Sequence, residues 1–258
     1  MEEKEKKNAK WKKVLFILSL LLLLLGLGYL VFYFVTREKN HDIYEEIQPQ
    51  KPVEKPVTEE PVEEEPVVIP IDFVSLKAQN ADIYAWIQIP DTNVDYPIVQ
   101  HPTDDSYYLD HTIEHVKGYP GSIYTESVSK KDFTDFNTLI YGHDMKNGTM
   151  FKHLHKFENA DFFNSHDTVT IYTETEIKTY RIYAALVYDN RHIVYSYDQS
   201  TVEGRQAFIQ SLHNQTSWKN HFREGMTIDE NSKLITLSTC IAGQPDKRYI
   251  VVAAEVDS

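Results

Sequence analysis

Cysteine is the scarcest chemistry in this chain: Cys240 stands alone among 258 residues, so no intramolecular disulfide can form. Positive charge is the second shortage. Lys and Arg number 26 against 39 Asp and Glu, a formal net charge of −13, which argues against nucleic acid as a partner. Metal-binding patterns are missing as well. There is no His-Glu-x-x-His, no cysteine spacing suited to zinc and no obvious carboxylate cage for calcium. His153-Leu-His155 is the nearest approach to a ligand set, with His101, His111 and His115 elsewhere, and His153 and His155 read as the exposed side of a short helix after Gly148. No metal and no cofactor are expected. Internal repeats are absent, and the folded part is left to packing and hydrogen bonds without covalent staples.

What is present begins with an apolar run. Residues 14–35 are apolar apart from Ser19, Gly26, Gly28 and two tyrosines. As a helix this run would extend about 33 Å, enough to cross a bilayer. Lys4, Lys6, Lys7, Lys10, Lys12 and Lys13 precede it, whereas only Arg37 and Lys39 follow closely. The bias places residues 1–13 in the cytoplasm and everything after the span outside. No Ala-x-Ala-like site follows, and the run is long for a signal peptide, so a retained single-pass anchor in the cell membrane is expected. Residues 36–70 carry six of the eleven prolines, and Glu38 to Glu65 holds ten acids against three lysines. Such a segment cannot bury a core and reads as an extended, self-repelling extracellular linker. Residues 71–258 remain as one domain, long enough for a core of its own.

The domain reads as mainly β. Strand patterns cover Trp86 to Ile89, Val94 to Val99, Gly121 to Tyr124, Thr138 to Tyr141, Asp167 to Thr173, Glu176 to Tyr188, Lys233 to Thr239 and Arg248 to Glu255. Asp72 is placed to cap a short helix through Gln79, with Asn80 opening a second turn. One longer helix is expected over residues 201–212, with Ser200 and Glu203 as a capping box and Val202, Phe208, Ile209 and Leu212 as its apolar face. Many short strands between turn signals indicate a sandwich or a barrel.

Three residue types carry candidate chemistry. Cys240 ends the apolar strand Leu234 to Thr239 and has two readings, a small buried hydrophobe or a nucleophilic thiol. His143 follows the strand Thr138 to Tyr141 and a Gly142 hinge, a position from which a side chain can act, yet it is one of eleven histidines. Arg248 heads the last strand, either as a solvated strand-end charge or as a cation for an oxyanion.

Together these segments resemble the sortases, membrane-anchored cysteine transpeptidases of Gram-positive bacteria. Thr236-Leu-Ser-Thr-Cys240 with Arg248 downstream is similar to their cysteine signature, and Asn137-Thr-Leu-Ile-Tyr-Gly-His143-Asp-Met-Lys-Asn-Gly-Thr-Met-Phe151 to the catalytic-histidine region of class B. Trp86-Ile-Gln-Ile-Pro90, Asp95 to Gln100, Tyr107-Tyr-Leu109 and Gly121 to Tyr124 also look like class B, so the resemblance covers about residues 72–256. It implies a closed β-barrel with short N-terminal helices and the longer helix before the cysteine strand. It implies Cys240 as nucleophile, His143 as acid–base and Arg248 as the cation at the substrate carbonyl. The family motif puts Ser238 and Thr239 beside the substrate, and Tyr195 and Tyr197 are expected to line the groove. The implied partners are secreted proteins bearing a C-terminal sorting signal, of the Asn-Pro-x-Thr-Asn or Pro-x-Thr-Gly kind, and an amine of a peptidoglycan precursor, the lipid II cross-bridge. Polymerisation of pilins is an alternative outcome of the same chemistry. Papain-like and NlpC/P60-like hydrolases place Cys before His, the reverse of the order here, and the caspase cysteine context is absent. A stalked, non-catalytic envelope-binding domain on a sortase-like scaffold is the non-enzyme alternative.

Overall fold

A computed structural model describes Trp11, residues 18–31 and residues 68–256. The chain divides into two compact units, Met1–Ile47 and Gln48–Ser258. In the first, residues 18–31 form a helix whose leucines are all exposed. Among the described residues no helix is long and apolar enough to cross a membrane. The rest of the expected 14–35 span, nearly all of the cytoplasmic tail and most of the 36–70 linker lie outside the described residues.

The second unit opens with helix α1 (Phe73–Gln79), where Asp72 Oδ1 accepts from Ser75 N at 3.1 Å as a cap should. Asn80 opens the expected second turn, its carbonyl accepting from Ile83 N at 3.2 Å and its Oδ1 from Asp82 N at 2.8 Å. It also ends α1, and its side chain is buried between Tyr108 Oη and the Ile113 carbonyl, both at 2.9 Å. The strands follow in order: β1 (Ile83–Gln88), β2 (Asp95–Val99), β3 (Ile123–Tyr124), β4 (Asn137–Tyr141), β5 (Thr168–Tyr172), β6 (Ile177–Asp189), β7 (His221–Phe222), β8 (Leu234–Ile241) and β9 (Gln244–Glu255). Side to side they run β5-β1-β2-β3-β4-β8-β9-β6, and β5 also pairs with β6. That last pairing closes eight strands into a barrel and leaves only the two-residue β7 outside, on β6. Closure removes the open sheet edges that a chain without disulfides would otherwise have to guard.

The remaining helices are α2 (Ala160–Ser165), α3 (Ile193–Ser196) and α4 (Val202–His213), with 3-10 segments at Tyr107–Leu109 and Phe151–Glu158. The expected cap of α4 is off by one residue. Thr201 Oγ1 accepts from Gly204 N at 3.1 Å, while the Ser200 hydroxyl turns back to Asp198 Oδ1 at 2.6 Å. Period-two alternation divides the barrel strands between two apolar layers. Ile140, Ile235, Leu237, Val251 and Ala253 are fully buried on one face. Leu139, Leu186, Leu234, Ile250 and Val252 on the other pack with Ile193 of α3 and with Phe208 and Leu212 of α4. Ser238 and Cys240 continue this second face of β8, beyond the residues that α3 and α4 cover.

Candidate active site

Register brings the three candidate residues together. β4 and β8 pair in parallel, Asn137 opposite Leu234 and Tyr141 opposite Ser238. The ladder ends there, but Gly142 N still donates to the Ser238 carbonyl at 3.2 Å, so the chain leads His143 on toward the cleft that Cys240 lines. β8 and β9 pair antiparallel, with Cys240 opposite Arg248. Adjacent strands lie about 4.8 Å apart, so Cys240 sits centrally with a histidine on one side and an arginine on the other. All three line one cleft of about 250 Å³. The Cys240 residue is exposed.

Each flanking side chain is held from behind. His143 Nε2 donates to the Leu109 carbonyl at 2.6 Å. A carbonyl only accepts, so that nitrogen carries a proton and Nδ1 is left to exchange one. Tyr119 packs against the same imidazole with ring centroids 5.1 Å apart. Gly142 allows the close approach: a Cβ there would lie 2.5 Å from Ile123 Cδ1 and 2.7 Å from Phe151 Cγ. Arg248 Nη1 donates to the carbonyls of Lys247 (2.8 Å) and Pro245 (3.1 Å), which fixes the guanidinium to its own hairpin turn and leaves Nε and Nη2 for an incoming group.

The Leu109 carbonyl is itself positioned by a glycine. Gly121 has φ +66, and a Cβ there would stand 2.6 Å from Leu109 O and 2.8 Å from Tyr108 O. Gly121→Ala is therefore expected to cost about 2 kcal/mol or more, through left-handed strain and contact with two backbone oxygens. It should also reduce activity, because the atom it displaces is the one that holds His143. Chemical denaturation and turnover of the variant check both effects.

The opposite wall comes from the end of β6 and its connection to α3, residues 189–193. Arg191 clamps that connection through Asp189 (2.7 and 2.6 Å) and Tyr197 Oη (2.9 Å). His192 Nε2 meets Glu126 Oε1 at 2.7 Å, which ties the wall to the segment after β3. Burial raises the Glu126 carboxyl, and the His192 hydrogen bond offsets only part of that. Burial also raises the phenols of Tyr124 and Tyr141, with the Glu126 charge adding to both, so these two cleft residues stay protonated.

The four residues expected to contact substrate are placed differently from one another. Ser238 shares the Cys240 face and lines the cleft. Thr239 borders it too, but strand alternation turns its side chain to the other face, where the residue is only 2% exposed and Oγ1 has no partner. Tyr195 is 67% exposed and packs on the His192 ring rather than lining the cleft. Tyr197 lies outside it as well. Its hydroxyl bonds Tyr188 Oη at 3.0 Å, and it lines a separate cavity with Arg205. Its sequence neighbourhood is right, but α3 turns its ring inward under the helices. Glu126 and His192 line the cleft without having been singled out in the sequence, and Leu109, quoted there only within Tyr107-Tyr-Leu109, lines it too, because loops far apart in the chain bring them there. His153 is partly exposed and His155 largely covered, its side chain 15% exposed. His153 Nδ1 accepts from Asn93 N at 2.9 Å, and His155 bonds Glu158 and the Cys240 carbonyl. Among the described residues no group of three or more His, Cys, Asp or Glu is arranged to hold a metal ion.

Comparison with known proteins agrees with this fold. Residues 87–256 match the sortase domain family. Sortase B of Listeria monocytogenes is 32% identical over 167 residues, which are 64% of this chain and 65% of that protein, so the match spans just under two thirds of the relative's length. The crystal structure of Clostridium perfringens sortase B superposes with a TM-score of 0.64 at 31% identity, covering 71% of this chain and 99% of that one. A Streptococcus pyogenes class B sortase involved in pilus biogenesis gives a TM-score of 0.61 at 27% identity, covering 72% and 98%.

Proposed function

The chain belongs to the sortase family, and we propose that within it the protein is a class B-type cysteine transpeptidase acting on C-terminal sorting signals. The observation that carries this reading is the strand register that sets Cys240 between His143 and Arg248 at one cleft. In the proposed reaction the Cys240 sulfur attacks the carbonyl carbon of the signal's threonine. An S–C bond forms, and Arg248 faces the oxygen where negative charge develops. The peptide C–N bond then breaks, and His143 gives a proton to the departing amine. His143 has taken that proton from the thiol; an acceptor amine then attacks the resulting thioester, the new C–N bond replaces S–C, and the proton the amine gives up returns through His143 to the Cys240 sulfur. Splitting one amide exchange into two steps is what a covalent nucleophile contributes. Water is the competing acceptor.

Signals of the Asn-Pro-x-Thr-Asn and Pro-x-Thr-Gly kinds, and an amine of the peptidoglycan precursor as acceptor, are the substrates this reading calls for. The full chain incubated with quenched fluorescent peptides of both kinds and a scrambled control, with and without triglycine, tests it. Cleavage after threonine, converted to a triglycine amide when the amine is present, supports a transpeptidase. A folded protein that cleaves none of them would favour the stalked binding-domain reading.

Residues 14–35 are proposed to anchor the enzyme in the cell membrane, with residues 1–13 inside and the catalytic domain outside. The uncharged, largely apolar run and the excess of lysines before it support this. Protease added to intact cells should then digest the domain and spare the tail. Protection of the domain would contradict the topology.

A further inference from the structure

A histidine outside the cleft touches the backbone of the proposed nucleophile. His155 lies in the 3-10 segment Phe151–Glu158, 85 residues before Cys240, with its side chain 15% exposed. Its Nε2 is 3.0 Å from the Cys240 carbonyl oxygen and its Nδ1 is 2.7 Å from Glu158 Oε1. A carbonyl and a carboxylate both accept, so keeping both bonds requires a proton on each ring nitrogen. The surroundings suit that arrangement. Burial alone would raise the Glu158 carboxyl, but hydrogen bonds from Lys219 and His155 outweigh it and hold the group below the usual range. Lys219 Nζ takes the other oxygen, Oε2, at 2.5 Å. Asp144 Oδ2 is 3.7 Å from His155 Nε2, with Lys152 Nζ 2.9 Å from Asp144 Oδ1.

The same imidazole stacks on Tyr249, with ring centroids 5.1 Å apart and planes at 25°. Tyr249 is the neighbour of Arg248 on β9 and pairs with Thr239 on β8. One ring therefore braces both strands of the site. It does so where the ladder is weakest, because the β8–β9 register shifts between Cys240 and Ile241. At such an irregularity the strand bends, and the neighbouring side chain can be re-aimed.

We propose that His155 is a positioning residue for Cys240: by donating to the Cys240 carbonyl at this break, it fixes the direction of the thiol relative to His143 and Arg248. Glu158 and Lys219 hold His155 in place, and Asp144 with Lys152 completes the charged surroundings. The proposal rests on Cys240 being the nucleophile, but its test needs no sorting signal, so the two can fail separately.

Iodoacetamide is the probe, since Cys240 is the chain's single thiol. Alkylation rates are followed across a pH series on the full chain for wild type, His155→Ala, His155→Gln and Glu158→Gln, with melting temperature measured alongside. His155→Ala is expected to slow alkylation near neutral pH by about tenfold and to move the pH profile upward, since a misdirected thiol loses the Arg248 guanidinium and the His143 imidazole as neighbours. His155→Gln keeps an N–H toward the carbonyl and should recover most of the rate. Glu158→Gln should move the profile the same way by less, and it also covers the case in which the alanine variant does not fold. Wild-type rates and profiles in the alanine and Glu158→Gln variants would overturn the proposal. So would equal losses in the alanine and glutamine variants that follow a common fall in melting temperature, because that pattern marks packing alone.

Discussion

Cys240→Ala is expected to abolish turnover of a sorting-signal peptide, by roughly 10⁴-fold or more in kcat, while leaving stability within about 0.5 kcal/mol of wild type. Both halves follow from the position of the residue. The chemistry is lost because no other thiol exists in the chain. Stability is kept because Cys240 is exposed at the end of β8, past the stretch that α3 and α4 cover. Turnover and a denaturant melt on the same preparation check the pair. A large loss of stability would mean that the thiol is a packing element and that the activity loss carries no mechanistic weight.

Arg248→Lys is expected to lower kcat/KM by about 10²-fold, close to the effect of Arg248→Ala. The guanidinium is fixed by two carbonyls of its own turn and can present Nε and Nη2 to one developing oxyanion. A lysine ammonium on a flexible stem keeps the charge but not that fork. The comparison of Lys with Ala is the informative part. Near-wild-type activity in the lysine variant would show that only charge matters at this position.

The strands were legible in the sequence as short apolar runs or as alternation. β2, β4 and β9, buried on both faces over much of their length, and β5, which alternates, fall within a few residues of their expected bounds. β7 was not legible, because a two-residue strand has no period to read. Thr201 rather than Ser200 caps α4 because an Asp198 turn captures the Ser200 hydroxyl first, a competition between two good acceptors that adjacent hydroxyl residues do not reveal.

The candidate site was half legible. His143 and Cys240 stand at or just beyond a strand end, where a strand pattern can find them, whereas Arg248, expected to head the last strand, is the fifth residue of β9, which begins at Gln244. That they are neighbours depends on a parallel β4–β8 pairing across about a hundred residues of chain, which periodicity does not encode. In the sequence His155 is one of eleven histidines, and its place after Gly148 points to solvent. Its role emerges only when the 3-10 segment is laid beside the β8–β9 break. Tyr197 illustrates the converse, since a residue near the groove in sequence is turned away from it by α3.

The most direct test is the intact mass of the full chain after brief mixing with a sorting-signal peptide, quenched in acid. The account predicts an adduct equal to the peptide up to its threonine, bound to the wild type, released by hydroxylamine and absent from Cys240→Ala. An unmodified wild-type mass throughout peptide turnover, or an equal adduct on the alanine variant, would contradict a Cys240 thioester and with it the proposed transpeptidase.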